Sequence, residues 1–370
     1  MEHYDDIDPQ PEPRSRWSLR ATGATLILGA ILGTAAFTVV PVPYVFEAPG
    51  PVYDTLGSVE DAEGESHPLI TIEGVTTYPT DGTLSLLTVS LYGSRENRPT
   101  WLDIIEAWMR PDYAVVPLDS VYPTGTTTEE QIQSSKYSME SSKREAVAAA
   151  LDSQGIAYES YLRVEDTREN FPAEGIFEVG DIFVSVNGKP ARNSSVISQL
   201  IAEVGVGNVA DCVVLRDGVE TAVSVEVVES DPESKIPVVG VIVSSHYEFP
   251  FDVTIELENV GGPSAGMMFA LGIVDMITPG FLNGGEDVAG TGTITANGEV
   301  GAIGGIVQKM YGARNDGAEW FLAPADNCEE VVGNIPAGLT VFRVATLDDA
   351  LTVLNAIEAD SDLSVLPTCD

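Results

Sequence analysis

Positive charge is scarce in this chain: 18 lysines and arginines stand against 57 aspartates and glutamates in 370 residues, a formal net charge of −39. A field of that sign repels phosphate backbones, which excludes nucleic acid as a partner and leaves the acidity as a solubilising surface. Cysteine is scarcer still. Cys212, Cys328 and Cys369 show no C-x-x-C spacing, so neither a zinc site nor a disulfide framework is legible, and one pairing of Cys328 with Cys369 or Cys212 stays open. Histidine is limited to His3, His67 and His246. No G-x-x-x-x-G-K-[ST] loop occurs, which removes the usual cradle for ATP phosphates. Neither a cofactor nor a metal is expected.

What is present begins with one long apolar run. Ala21 to Val40 carries no charge and matches the length of a helix that crosses a bilayer. Arg14, Arg16 and Arg20 precede it and no Lys or Arg follows until Arg95, so the positive-inside rule puts residues 1–20 in the cytoplasm and the remainder outside. Trp17 and Tyr44 fall where interfacial aromatics belong. A cleaved signal peptide, cut near Ala35 and Ala36, is the rival; the run exceeds a usual signal core and favours an uncleaved single-pass anchor in the cell membrane.

After the anchor, Pro41-Val42-Pro43 and Pro49-Gly50-Pro51 read as an extended stem. Two strand-like runs, 69–75 and 83–91, flank the turn Pro79-Thr80-Asp81-Gly82. Helical patterns cover 101–109 and 140–153, with a Thr/Ser/Gln-rich loop expected over 123–135. Residues 157–230 form a β-rich unit with one helix near 194–204 and an alternating final strand through Val223, Val225 and Val227. Strands are then expected at 237–244 and 253–257, and helices at 265–277 and 306–315.

The chemistry centres on Gly261-Gly262-Pro263-Ser264-Ala265-Gly266, a serine framed by glycines at the start of an apolar helix. Read as G-x-S-x-G it mimics the elbow of an α/β-hydrolase, but that fold needs a histidine after the serine, and none follows Ser264. Lys309 is the one lysine between Ser264 and the C-terminus, which makes a Ser-Lys dyad the economical hypothesis. Ser264 in the first turn of its helix would lie near unpaired N–H groups suited to an oxyanion. Lys309 would serve as base if burial beside Ile306 or Met310 destabilised its ammonium form. Thr291, in Gly290-Thr291-Gly292-Thr293, would orient the lysine or the serine. The plainer roles are a helix-capping serine, an exposed lysine and an ordinary turn hydroxyl. Ser245 and His246, adjacent on a strand, face opposite ways and do not make a triad.

Two resemblances follow from these residues. Pro172-Ala173, Gly180-Asp181-Ile182 and Asn187-Gly188-Lys189 resemble the PDZ domain of bacterial proteases over 157–230, although no glycine-rich carboxylate-binding loop precedes Tyr161-Leu162-Arg163-Val164. Gly262 to Gly266, Thr291-Gly292 and Gly298 to Gly305 with Gln308-Lys309 resemble the proteolytic domain of the Lon family of Ser-Lys peptidases. The whole resembles membrane-anchored, PDZ-containing Lon-like proteases. The resemblance implies an α+β fold comprising a tail (1–20), a transmembrane helix (21–40), a stem and N-terminal peptidase part (41–156), a PDZ-like domain (157–230), a Lon-like proteolytic domain (236–357) and a C-terminal tail (358–370). Residues 82–89 resemble the family's N-terminal region, which would make the PDZ-like unit an insertion. It further implies Ser264 as nucleophile, Lys309 as general base, Thr291 in support, ATP-independent cleavage of unfolded or PDZ-recruited proteins, and a homo-oligomer such as a hexameric ring. The alternative is a non-catalytic PDZ adaptor that binds exported proteins.

Overall fold

The computed structural model describes residues 19–61, 64–123, 125, 127–230, 234–257 and 260–369; the expected cytoplasmic tail through residue 18, with Arg14, Arg16 and Trp17, lies outside the described residues. The side chains of Arg20, Ala35 and Ala36 do too. The chain divides into two compact units, 1–46 with 92–124, and 47–91 with 125–370.

In the first unit the helix Leu19–Val39 contains the predicted apolar run, and Ala21–Val39 is long and apolar enough to cross a membrane, with none of its length buried inside the protein. Proline ends it: Pro41 has no N–H to continue the ladder and instead forms an antiparallel bridge with Thr100. Val42 N–H donates to the Pro99 carbonyl and Leu118 N–H to the Pro43 carbonyl. The short helix Trp101–Trp108 starts at Thr100, whose backbone N–H and hydroxyl both donate to the Asp103 carboxylate. Phe46 stacks on Tyr92 and on Tyr113.

The second unit is built on a mostly parallel sheet. Its strands lie side by side in the order Thr340–Val344, Trp320–Pro324, Asp287–Gly290, Thr83–Tyr92 and Tyr44–Asp54, the last contributing from Glu47 onward. Asp287–Gly290 runs parallel to both neighbours, with Ala289 opposite Ser85 on one side and Phe321 on the other. Strands covered on both faces read as continuous apolar runs, and Leu84, Leu86 and Leu87 are buried, as are Phe321, Leu322 and Ala323. One face packs on the helices Thr128–Ser153, Gly266–Ile277 and Leu347–Glu358 through Met267, Met268, Phe269 and Leu354. The other packs on Ile306–Asp316 through Ile306, Met310 and Ala313. Because Thr83–Tyr92 pairs with Asp287–Gly290, the mostly parallel sheet is made from chain segments on either side of the β-rich unit, which is an insertion.

The insertion has its own antiparallel sheet and core. Its strands run in the order Val219–Glu226, Val209–Arg216, Ile182–Val186, Glu159–Thr167 and Val241–Glu248, with Ser194–Val204 as its helix. Leu162, Val164, Phe183, Ile197, Ile201 and Val214 form the core. Asn193 caps the helix by accepting from Val196 N–H at 2.9 Å, and Gly205 at φ 79° stops it. Arg216 grips the buried Asp181 with two hydrogen bonds of 2.8 and 2.7 Å, holding the turn before Ile182.

Two sequence expectations are corrected. The strand Val241–Glu248, read as the opening of the proteolytic segment that starts at 236, pairs with Glu159–Thr167 and completes the inserted sheet. The loop expected over 123–135 is helical from Thr128, because Thr127 and Glu130 close a capping box, each satisfying the other's backbone N–H.

Candidate active site

Ser264 occupies a tight turn in which Gly266 N–H donates to the Pro263 carbonyl at 3.3 Å. The helix proper begins at Gly266, so Ser264 stands just before the first turn instead of inside it. The reason is where its carbonyl points. It accepts from Gly292 N–H at 2.9 Å and from the Thr291 hydroxyl at 3.0 Å. Met267 N–H returns to the Gly292 carbonyl at 3.1 Å, so the serine turn and residues 291–292 are stitched together.

The opposite side of the turn is held by the helix Thr128–Ser153. Gly262 N–H donates to the Ser135 carbonyl and Ser142 Oγ to the Pro263 carbonyl, both at 2.9 Å. Gly266 permits this crowding: a Cβ there would stand 2.7 Å from both Ile294 Cγ2 and Ser142 Oγ. Gly262, at φ 86°, takes a left-handed conformation that a side chain resists. Among the described residues the Ser264 hydroxyl makes no hydrogen bond, and the amides of Ser264 and Ala265 have no acceptor. The expectation of open N–H groups is therefore met by these two residues, while Gly266 and Met267 have spent theirs on Pro263 and Gly292.

Lys309 enters from the other face of the sheet. Its helix starts at Gly305, φ 68°, and buries the lysine to 2% exposure alongside Ile306 and Met310. Lys309 Nζ donates to Thr291 Oγ1 at 3.0 Å. Thr291 is 1% exposed, and its hydroxyl spans the gap, accepting from the lysine while donating to the Ser264 carbonyl. Burial pulls the Lys309 ammonium down to about 8, because a desolvated cation loses its hydration; the Glu47 carboxylate acts in the opposite sense. Burial wins at Glu47 too, raising it above the usual carboxylate range despite the lysine nearby. Each group is thus held closer to neutrality than in water.

The structure brings Ser264, Thr291 and Lys309 together, with Thr291 as the link. Sequence reasoning missed four contributors. Ser135 and Ser142 lay in or beyond a stretch read partly as loop, although the Thr127/Glu130 signature was there to be seen. Glu47 sits in the proline-rich stem, where nothing local marks it. Glu145, three residues past Ser142, is pushed up by burial and accepts from the Tyr247 hydroxyl at 2.8 Å and from Ala296 N–H at 2.5 Å, fastening the far end of the Thr291 segment.

A separate groove of about 300 Å³ lies in the inserted unit, lined by Ile197, Ser198 and Ile201 of its helix and by residues 237–243. Val241–Glu248 is the last strand of that sheet, and its outer edge has no strand partner among the described residues. Ser245 and His246 belong to this strand; Ser245 Oγ accepts from Ser194 N–H and the His246 ring stacks on Tyr161, so neither approaches the serine turn.

Comparison with known proteins locates the likeness. Residues 258–356 match the Lon protease (S16) C-terminal proteolytic domain. The Lon protease of Azospirillum brasilense is 39% identical over 93 residues, which is 24% of this chain and 11% of that protein. The Lon protease of Escherichia coli (strain K12) is 35% identical over 95 residues, 25% of this chain and 12% of that protein. The chain thus matches only about an eighth of the length of these relatives. The PDZ domain of the SdrC-like protein from Listeria innocua aligns with 20% identity and a TM-score of 0.21, covering 22% of this chain and 92% of that one. Ser264, Thr291 and Lys309 all fall inside the matched segment, so this mixed α+β protein is similar to the Lon protease proteolytic domain through residues 258–356.

Proposed function

We propose that this chain is a membrane-anchored serine endopeptidase in which Ser264 is the nucleophile, Lys309 the general base and Thr291 the residue that orients them. The observation that carries the reading is the buried Lys309, its ammonium pulled down to about 8 by burial and hydrogen-bonded to a threonine hydroxyl that also grips the nucleophile's turn. Neutral Lys309 takes the Ser264 proton as Oγ attacks a peptide carbonyl; the oxyanion develops beside the amides of Ser264 and Ala265. Collapse breaks the C–N bond as the lysine returns the proton to the leaving amine, and a water activated by Lys309 then releases the acyl group and restores Ser264. An apolar alternative explains the lysine poorly, since a buried amine without a task is a burden on stability.

Substrates are flexible or unfolded polypeptides, taken without ATP because no phosphate loop is encoded. The groove beside the open edge of Val241–Glu248 suits an extended peptide that adds a strand, with Ile197 and Ile201 beneath its side chains. That groove supplies what the adaptor reading requires, and recruitment and cleavage are compatible. The extracytoplasmic orientation follows from the arginines before the helix Leu19–Val39 and agrees with the Cys328–Cys369 disulfide, a bond favoured in oxidising compartments. A homo-oligomer is part of the same reading.

The test is hydrolysis of an unfolded protein by the full chain in lipid nanodiscs without nucleotide, beside Ser264→Ala. Activity present in the wild type and absent in the variant supports the peptidase; a folded, assembled wild type that binds the substrate without cutting it supports the adaptor.

A further inference from the structure

The helix Trp101–Trp108 exposes an apolar face that the peptidase reading leaves unused. Trp101, Leu102, Ile105, Trp108 and the following Met109 are all exposed, Trp108 to 64% and Met109 to 81%. At 100° per residue they fill one continuous arc, while Ile104 and Ala107 turn inward and Asp103 and Glu106 lie on the flank. Two tryptophans on one small apolar patch are not ordinary surface; such a patch marks a contact.

Its position identifies the contact. The chain leaving the membrane-length helix is bridged from Pro41 to Thr100 and hydrogen-bonded from Val42 to Pro99, immediately before Trp101. The Phe37 ring, in the last turns of that helix, packs edge-on against Trp101 with centroids 6.5 Å apart. The exposed face therefore begins where the spanning segment ends, at the depth where tryptophan partitions between acyl chains and headgroups.

We propose that Trp101–Met109 is an interfacial helix that lies in the headgroup–acyl boundary of the bilayer spanned by Leu19–Val39. The attachment is apolar, not electrostatic: the helix carries two acids and no base, the adjacent Arg110 and Arg95 are engaged by Asp112 and Asp119, and the exposed Arg98, bonded to the Arg95 carbonyl, is outnumbered by Asp103 and Glu106. A zwitterionic phospholipid surface is sufficient, and added anionic lipid does not strengthen the contact. The inference rests on Leu19–Val39 crossing the membrane, but not on the dyad.

The test uses the full chain carrying Trp17→Phe in phosphatidylcholine vesicles, with lipids brominated at shallow acyl carbons as quenchers. Of the three tryptophans left, Trp320 lies in the peptidase sheet and serves as the unquenched reference. The expected result is a roughly twofold loss of emission, since two of three emitters sit at the boundary, and its disappearance when Trp101→Phe and Trp108→Phe are added. Leu102→Glu with Met109→Glu, which keeps both reporters, reduces the quenching. Emission that stays red-shifted and unquenched overturns the proposal, as does emission that is blue-shifted yet unquenched, which would mean protein covers the face. If alkaline carbonate strips the chain from the vesicles, the spanning helix fails and the interfacial helix with it.

Discussion

The two sheets of the second unit solve opposite problems. The first sheet is mostly parallel and its central strands are covered on both faces, so the groups that reach their ends are fixed by dense packing. The inserted sheet is antiparallel and stops at Val241–Glu248, whose free edge leaves backbone donors and acceptors unmatched. A sheet covered on both faces fixes the residues at its strand ends; one with a free edge can accept a further strand. On the proposed function, cutting and capture use different kinds of β-structure in one polypeptide, joined where Glu145 accepts from both Tyr247 of the open edge and Ala296 behind Thr291.

Breaking the closed side has the largest expected effect. Lys309→Met keeps the bulk and removes the amine, so hydrolysis falls by about a thousandfold or more, while the thermal midpoint rises because the buried charge is gone. Loss of both activity and stability would instead make Lys309 a structural residue. Next comes Gly266→Ala, whose Cβ meets Ile294 and Ser142; over-packing of this kind destabilises by about 1–3 kcal/mol and displaces the serine turn. Calorimetry beside an active-site serine probe checks it, and an unchanged midpoint would mean the turn is looser than described.

The open side is tested by Ser198→Trp, which fills the groove from an exposed position. The KM for protein substrates should rise while cleavage of a short unstructured peptide stays the same; equal loss on both would assign the groove no part in capture. The smallest effect concerns pH. Lys309 must be neutral to act, so kcat/KM rises through about pH 8. Glu47 favours the ammonium form, and Glu47→Gln therefore shifts the rise toward lower pH. A profile that stays in place separates Glu47 from the base.

Local signals carried much of this architecture and failed where the partner was distant. Helices with a clear apolar rhythm and a stop residue, such as Ser194–Val204 before Gly205, emerged nearly to the residue. Ser264, Thr291 and Lys309 stood out because glycines frame them and because no histidine competes. The membership of Val241–Glu248 did not emerge: alternation reveals a strand, but its neighbour, Glu159–Thr167, is set by the folded sheet. Glu47 and Glu145 were invisible for the same reason, being ordinary acids until the fold closes around them in a chain where acids are plentiful. The groove, too, is formed by a helix and a strand that only tertiary structure sets side by side.

The insertion also governs when the parallel sheet can form. The bond from Thr83 Oγ1 to Asp287 links residues 204 positions apart, and the lysine helix comes later still. Closing so long a loop is slow, and parallel pairing gives no return until both strands have arrived. Ser264 and Lys309 both follow the insertion whereas the strand Thr83–Tyr92 precedes it, so the sheet on which the serine turn and the lysine helix pack stays incomplete until this loop closes.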